Sequence, residues 1–264
     1  MEIKDQMNRT IRLASTPKRI VSLVPSLTEL LSYFELENEV IGITKFCIHP
    51  EEWFKTKPRV GGTKQIHLDK IHGLRPDFII ANKEENTEEI IASLEADFPV
   101  YITDIYTLDD AYQAIIHLGQ ILGKEKEAQT LVKSTKQQFI SYKKSEAYTH
   151  LKGKRFLYFI WHEPDFAAGK NTYIDNVFET LGMVNVCNEK RYPEAKKNAD
   201  TDFIFLSSEP YPFQEKHIAH FQEKYPSAKV VLVNGEVFSW YGSKMREIVP
   251  YIEAQFEKWI FDGE

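Results

Sequence analysis

The side chains best suited to chemistry fall in a few short clusters. They are Lys45-Phe46-Cys47, Lys83-Glu84-Glu85-Asn86, Trp161-His162, Ser208-Glu209-Pro210-Tyr211-Pro212-Phe213 and Trp240-Tyr241. Large rings beside a few polar groups suit a sizeable, flat or ring-containing ligand. The same rings would equally well seal an interface between two lobes. Cys47 and Cys187 each follow the second strand run of a half-chain. Either packs as a small buried hydrophobe, or offers a thiolate to a bound metal centre. His162 is a further candidate for a metal ligand, and His162 and Glu209 could serve as general acid or base only within hydrogen-bond reach of a substrate atom.

No established catalytic pattern accompanies these clusters. Gly61-Gly62-Thr63-Lys64 lacks the rest of a GxxxxGK[ST] loop, and GxGxxG, GxSxG and HExxH do not occur. His67 and His72 are five residues apart, which on a helix is not one face.

The elements that must position the clusters alternate. Strand runs are expected at Ile20–Val24, Val40–Thr44, Phe78–Ala81 and Val100–Thr103. A second set follows at Phe156–Trp161, Val184–Val186, Phe203–Ser207 and Val230–Val233. Helical patterns between them imply α/β architecture with mostly parallel sheets. In such sheets ligands bind beyond the carboxyl ends of the strands, where the clusters fall. Ser26-Leu27-Thr28-Glu29 reads as a capping box, and Thr107 precedes another helix. Lys124 to about Tyr148 holds no Gly or Pro and reads as one long helix of more than about 30 Å. The expected division is therefore an N-terminal lobe over 1–123, a connecting backbone helix over 124–150, and a C-terminal lobe over 151–264.

Composition sets the outer limits. The chain has 264 residues, 42% hydrophobic and 27% charged, enough for two cores. A net charge of −6 leaves no basic footprint for nucleic acid or an anionic membrane. Two cysteines make neither a disulfide framework nor a zinc ribbon. The start, Met1-Glu2-Ile3-Lys4-Asp5, lacks a secretory h-region. A cytoplasmic, monomeric chain is expected if Met1 is the natural start, and a periplasmic or lipid-anchored one if a leader was removed.

An ordered set of segments carries a family resemblance. Arg19 to Glu29 (RIVSLVPSLTE) resembles the opening of the class III substrate-binding proteins of ABC importers for cobalamin and ferric siderophores. Val40–Thr44, Val60–Thr63, Leu74–Ile80, Ala168–Ile174, Arg191–Glu194 and Trp240–Ser243 follow in that family's order. The resemblance implies two Rossmann-like lobes joined by a backbone helix and binding of a metal chelate in the cleft between them, without chemistry. It puts Phe46, Tyr192, and Phe166 or Trp161 at aromatic ligand positions, while Thr63 stands where a further tryptophan is expected. Trp240, Tyr241 and Tyr211 would extend the apolar walls, with Lys45, Lys83, Asn86 and Glu209 at the ligand's periphery. An acidic residue on each lobe would meet arginines of the permease. Asp69 fits the first position, and Ala195-Lys196-Lys197-Asn198 offers no clear match for the second. An intracellular enzyme or a regulatory protein on the same scaffold is the alternative.

Overall fold

Runs of Val, Ile and Phe become strands where the sequence places them. In the computed structural model, which describes residues 1–196 and 200–261, the first half contains strands β1 (Glu2–Lys4), β2 (Thr10–Arg12), β3 (Ile20–Ser22), β4 (Val40–Ile43), β5 (Phe78–Asn82) and β6 (Val100–Thr103). Its helices are α1 (Pro25–Tyr33), α2 (Glu51–Thr56), α3 (Leu68–Leu74), α4 (Glu88–Glu95), α5 (Leu108–Leu122) and α6 (Glu125–Tyr142). The second half contains α7 (Glu146–Leu151), β7 (Arg155–Trp161), β8 (Phe166–Ala167), α8 (Tyr173–Thr180), β9 (Val184–Asn185), β10 (Phe203–Ser207), α9 (Glu215–Lys224), β11 (Lys229–Val233), α10 (Gly235–Ser239) and α11 (Ile248–Phe261).

The chain divides into two α/β units. One takes Met1–Ile105, Asp109–Val132 and Tyr241–Ser243, and the other takes Tyr106–Leu108, Lys133–Trp240 and Lys244–Glu264. In the first unit, four parallel strands run in the order β4-β3-β5-β6. Every residue of β3, β5 and β6 is buried, as expected of a parallel sheet covered on both faces. The core beneath is aliphatic, with Val21, Leu23, Ile79, Ala81, Leu94 and Val100 among its members.

In the second unit, β11, β10 and β7 are parallel, while β8 runs antiparallel along β7 and β9 pairs parallel with its start. Its core is built largely of rings. Phe178 lies 4.7 Å from Phe156, 4.7 Å from Phe238 and 5.0 Å from Phe205, centroid to centroid. In both sheets the strand order reverses beside the first central strand, at β3/β5 and β7/β10. That is where an open α/β sheet leaves a crevice for ligand.

Two expectations change. Ser26 does not cap α1: the helix opens at Pro25 behind Val24, without a side-chain cap. Proline suits the first helical position because its missing N–H would be unpaired there anyway. Nor is Lys124–Tyr148 one helix. α6 ends at Tyr142 after 18 residues, about 27 Å. Ser145 then starts α7, its hydroxyl accepting from Tyr148 N at 3.2 Å. Serine's preference for this capping position overrides the helical composition on either side. The boundary between the units falls within α6. Lys197 and Asn198, part of the expected second docking segment, lie outside the described residues.

Candidate ligand-binding surfaces

In the first unit, the loop after β4 carries Lys45 and Phe46 outward and Cys47 inward. Phe46 is 49% exposed. Its ring lies over Gly62, where an added Cβ would sit 3.1 Å from Cε2. Lys45 Nζ stands 5.0 Å from the same ring's centroid, a cation–π arrangement. The Gly61–Gly62 turn that receives the ring requires glycine: Gly61 has φ +122°, and a Cβ there would meet Gln65 O at 2.5 Å. The glycine pair is therefore a platform beneath Phe46. The neighbouring Thr63 is buried.

Directly beneath, Cys47 is fully buried. Its Sγ lies 3.0 Å from Thr28 Oγ1 and 3.1 Å from Thr44 Oγ1, and Thr28 Oγ1 is also 2.8 Å from Ser22 Oγ. Burial pushes the thiol's pKa up, and the threonine hydroxyls only partly offset it. Cys47 is thus an inert packing thiol rather than a poised thiolate.

The loop after β5 divides its duties. Asn86 is buried: its Oδ1 accepts from Asn82 N at 2.9 Å and its Nδ2 donates to Thr63 O at 3.0 Å. It braces the loop, so the expected peripheral contact from this amide is corrected. Lys83 is exposed and pairs with Asp104 at 2.8 Å. Glu85, which the sequence offered only as a loop member, has its carboxyl pKa raised by burial against the opposing charge of Lys64. Tyr241 packs into this unit at 9% exposure, hydrogen-bonded to Thr103 and Ser26, and burial and then Glu85 raise its phenol pKa. Asp69 is exposed in the first turn of α3.

In the second unit, β7 ends on Trp161, 43% exposed. Tyr211, in the loop after β10, meets it edge-on at 5.7 Å, and Tyr211 N donates to Ile160 O at 3.2 Å. Phe166 is paired in register with Trp161 across β7–β8 and bridges to Glu194. This bridge and Ala167 N donating to Pro193 O lay the Arg191–Glu194 segment along β8. Arg191 stands over Tyr106 at 5.2 Å and Tyr192 at 5.5 Å. Trp161, Phe166, Tyr192 and Tyr211 are thus presented by one sheet end and the segments along it.

Other candidates are engaged in holding the unit together. Phe213 is 5% exposed and belongs to the core. Trp240 is 7% exposed, closing α10 with its N–H donating to Glu236 O at 3.0 Å. Trp240 is therefore wall-forming core rather than an open face. Glu209 accepts a hydrogen bond from Ser239 Oγ. His162 Nδ1 lies 2.7 Å from Asp165 Oδ1. His162 and Glu209 thus have separate partners. Cys187 is 9% exposed, its N–H donating to Asn185 Oδ1 at 2.9 Å, and burial raises its pKa too. It lines a pocket of about 200 Å³ with Leu157, Val186, Pro193 and Ala195.

The fold is of the two-unit α/β type. The chain belongs to the periplasmic binding protein family, whose model matches residues 20–212. An uncharacterized ABC transporter substrate-binding lipoprotein of Bacillus subtilis is 27% identical over 195 residues, 71% of this chain and 61% of that relative. The chain thus aligns with about three-fifths of that curated relative's length. Among solved structures, the periplasmic vitamin B12-binding protein of Vibrio cholerae superposes with a TM-score of 0.75 at 21% identity, covering 92% of this chain and 98% of that one. A periplasmic heme-binding protein of Pseudomonas aeruginosa gives 0.78 at 20%, covering 91% and 92%. Members of the family are binding proteins of ABC transporters, which take small ligands and work with a permease, not enzymes. No helix among the described residues is long and apolar enough to cross a membrane.

Proposed function

We propose that this protein binds a metal chelate of the corrinoid, heme or ferric siderophore type and delivers it to an ABC permease. The observation that carries the reading is a pair of exposed rings, Phe46 and Trp161, at carboxyl strand ends of two sheets whose other large rings are mostly buried. A ligand that covers such rings removes their apolar area from water. A planar chelate supplies the matching apolar face, and Tyr192 and Tyr211 add edge contacts and hydroxyls. Lys45 and Lys83 supply charge for the propionates or catecholate oxygens of an anionic ligand. Asp69, exposed on the first unit, is the residue offered to a permease arginine.

The test is a titration of the purified protein with aquocobalamin, cyanocobalamin, hemin, and ferric hydroxamate and ferric catecholate siderophores. Ligand absorbance and tryptophan fluorescence give the readout. One class should give a saturable one-to-one signal. Absence of a saturable response across the whole panel contradicts the proposal.

A further inference from the structure

We infer that His162, Asp165 and His220 form a binding site in the second unit for a divalent transition ion of the zinc class. Each offers one donor atom, and the three atoms lie within 4.8 Å of one another. The donors come from two fixed elements. His162 directly follows β7, Asp165 lies in the turn before β8, and His220 projects from α9. The two imidazole rings are 5.2 Å apart, centroid to centroid. Ion binding would exchange the 2.7 Å hydrogen bond between His162 Nδ1 and Asp165 Oδ1 for coordinate bonds. Two imidazoles and one carboxylate are the donors zinc takes at about 2.0–2.2 Å, and three protein ligands leave its fourth position open. Magnesium and calcium prefer oxygen-only shells, so the donor set selects against them.

The surroundings make this a built arrangement. Lys224 Nζ holds Asp165 Oδ2 at 2.6 Å, fixing the carboxylate and leaving Oδ1 for the ion. This second-sphere contact orients the ligand, but its positive charge also costs affinity. His217, one turn earlier on α9, is already committed. Its Nδ1 lies 2.9 Å from Gln214 N, and its Nε2 lies 3.1 Å from Tyr211 OH. The chelate reading is not required for any of this.

The experiment uses untagged, EDTA-stripped full-length protein titrated calorimetrically with zinc chloride, with bound metal counted after gel filtration. One zinc per chain is expected, with magnesium and calcium chloride giving no comparable heat. His220 is exposed on its helix, so His220→Ala should fold as the parent by circular dichroism and bind zinc more than about tenfold more weakly. Asp165→Asn should weaken binding as well. A Cys47→Ser/Cys187→Ser variant should retain the zinc. The inference is overturned by no stoichiometric zinc at micromolar concentration. It is equally overturned by affinity unchanged in His220→Ala, or by zinc lost with the two thiols.

Discussion

The strand-end surfaces of the two units differ in their chemistry. In the first unit a single exposed ring, Phe46, sits on glycine with a lysine over it, and a second lysine stands on the next loop. In the second unit Trp161 sits among other rings, with Tyr211 at its edge and Phe166 in register beside it. The contrast continues beneath the surfaces, where an aliphatic core lies in one unit and an aromatic core in the other. A surface built on cations attracts ligand through fields that salt screens over about 10 Å at 0.1 M, whereas apolar ring contact is largely indifferent to salt. Under the proposed function, charge recognition would fall to the first unit and ring recognition to the second.

Core substitutions should separate the units most strongly. Phe178→Ala removes a fully buried ring from the centre of the aromatic core and should cost about 3–5 kcal/mol. Ile79→Val in the aliphatic core should cost only about 0.5–1.5 kcal/mol. Urea unfolding of both variants measures these costs, and a Phe178→Ala loss no larger than that of the single-carbon deletion would contradict its place at the centre of the aromatic core.

A smaller effect is expected at the polar seam of the first unit. Thr28→Val leaves Cys47 and Ser22 without the hydroxyl they share, at a cost of about 1–3 kcal/mol in the same assay.

Glu85 provides a pH signature. Its folded pKa lies above its unfolded value, so burial favours the protonated acid. Its stabilising contribution is full below the ordinary carboxylate range and declines as pH rises from about 4.5 through the raised folded value. Glu85→Gln should flatten that decline and leave the protein more stable at neutral pH. Unfolding midpoints of wild type and variant over pH 4 to 8 provide the check, and parallel curves would remove Glu85 from the account. The smallest effect is expected at Lys83, whose ion pair with Asp104 is partly exposed. Lys83→Ala should change stability by no more than about 1 kcal/mol, yet weaken an anionic chelate in low salt.

Much of this arrangement was legible in the sequence because buried parallel strands are unbroken apolar runs. Val100–Thr103 and Phe203–Ser207 emerge with the bounds their composition implies, and the exposed rings lie at two other strand ends, Phe46 in the loop after β4 and Trp161 at the end of β7. What escaped depends on single atoms. Nothing in the composition of Lys143-Lys144-Ser145 outweighed the surrounding helix formers, yet the Ser145 hydroxyl reaches Tyr148 N and starts a new helix. Asn86 and Trp240 read as candidate contacts by type. The first is buried by an amide that bridges two loops, the second by packing at a helix end. In the grouping of His162, Asp165 and His220 the first two are three positions apart, but His220 lies 55 positions beyond Asp165 on another element, so linear spacing did not join it to them.

The most direct measurement is the affinity of Phe46→Ala and Trp161→Ala for whichever chelate the wild type binds, taken by calorimetry alongside the parent. If these exposed rings are ligand contacts, each variant should bind at least about tenfold more weakly, about 1.4 kcal/mol, with the Trp161→Ala loss unchanged by added salt. Wild-type affinity in both variants would show that neither ring touches the ligand and would contradict the assignment of the binding surfaces.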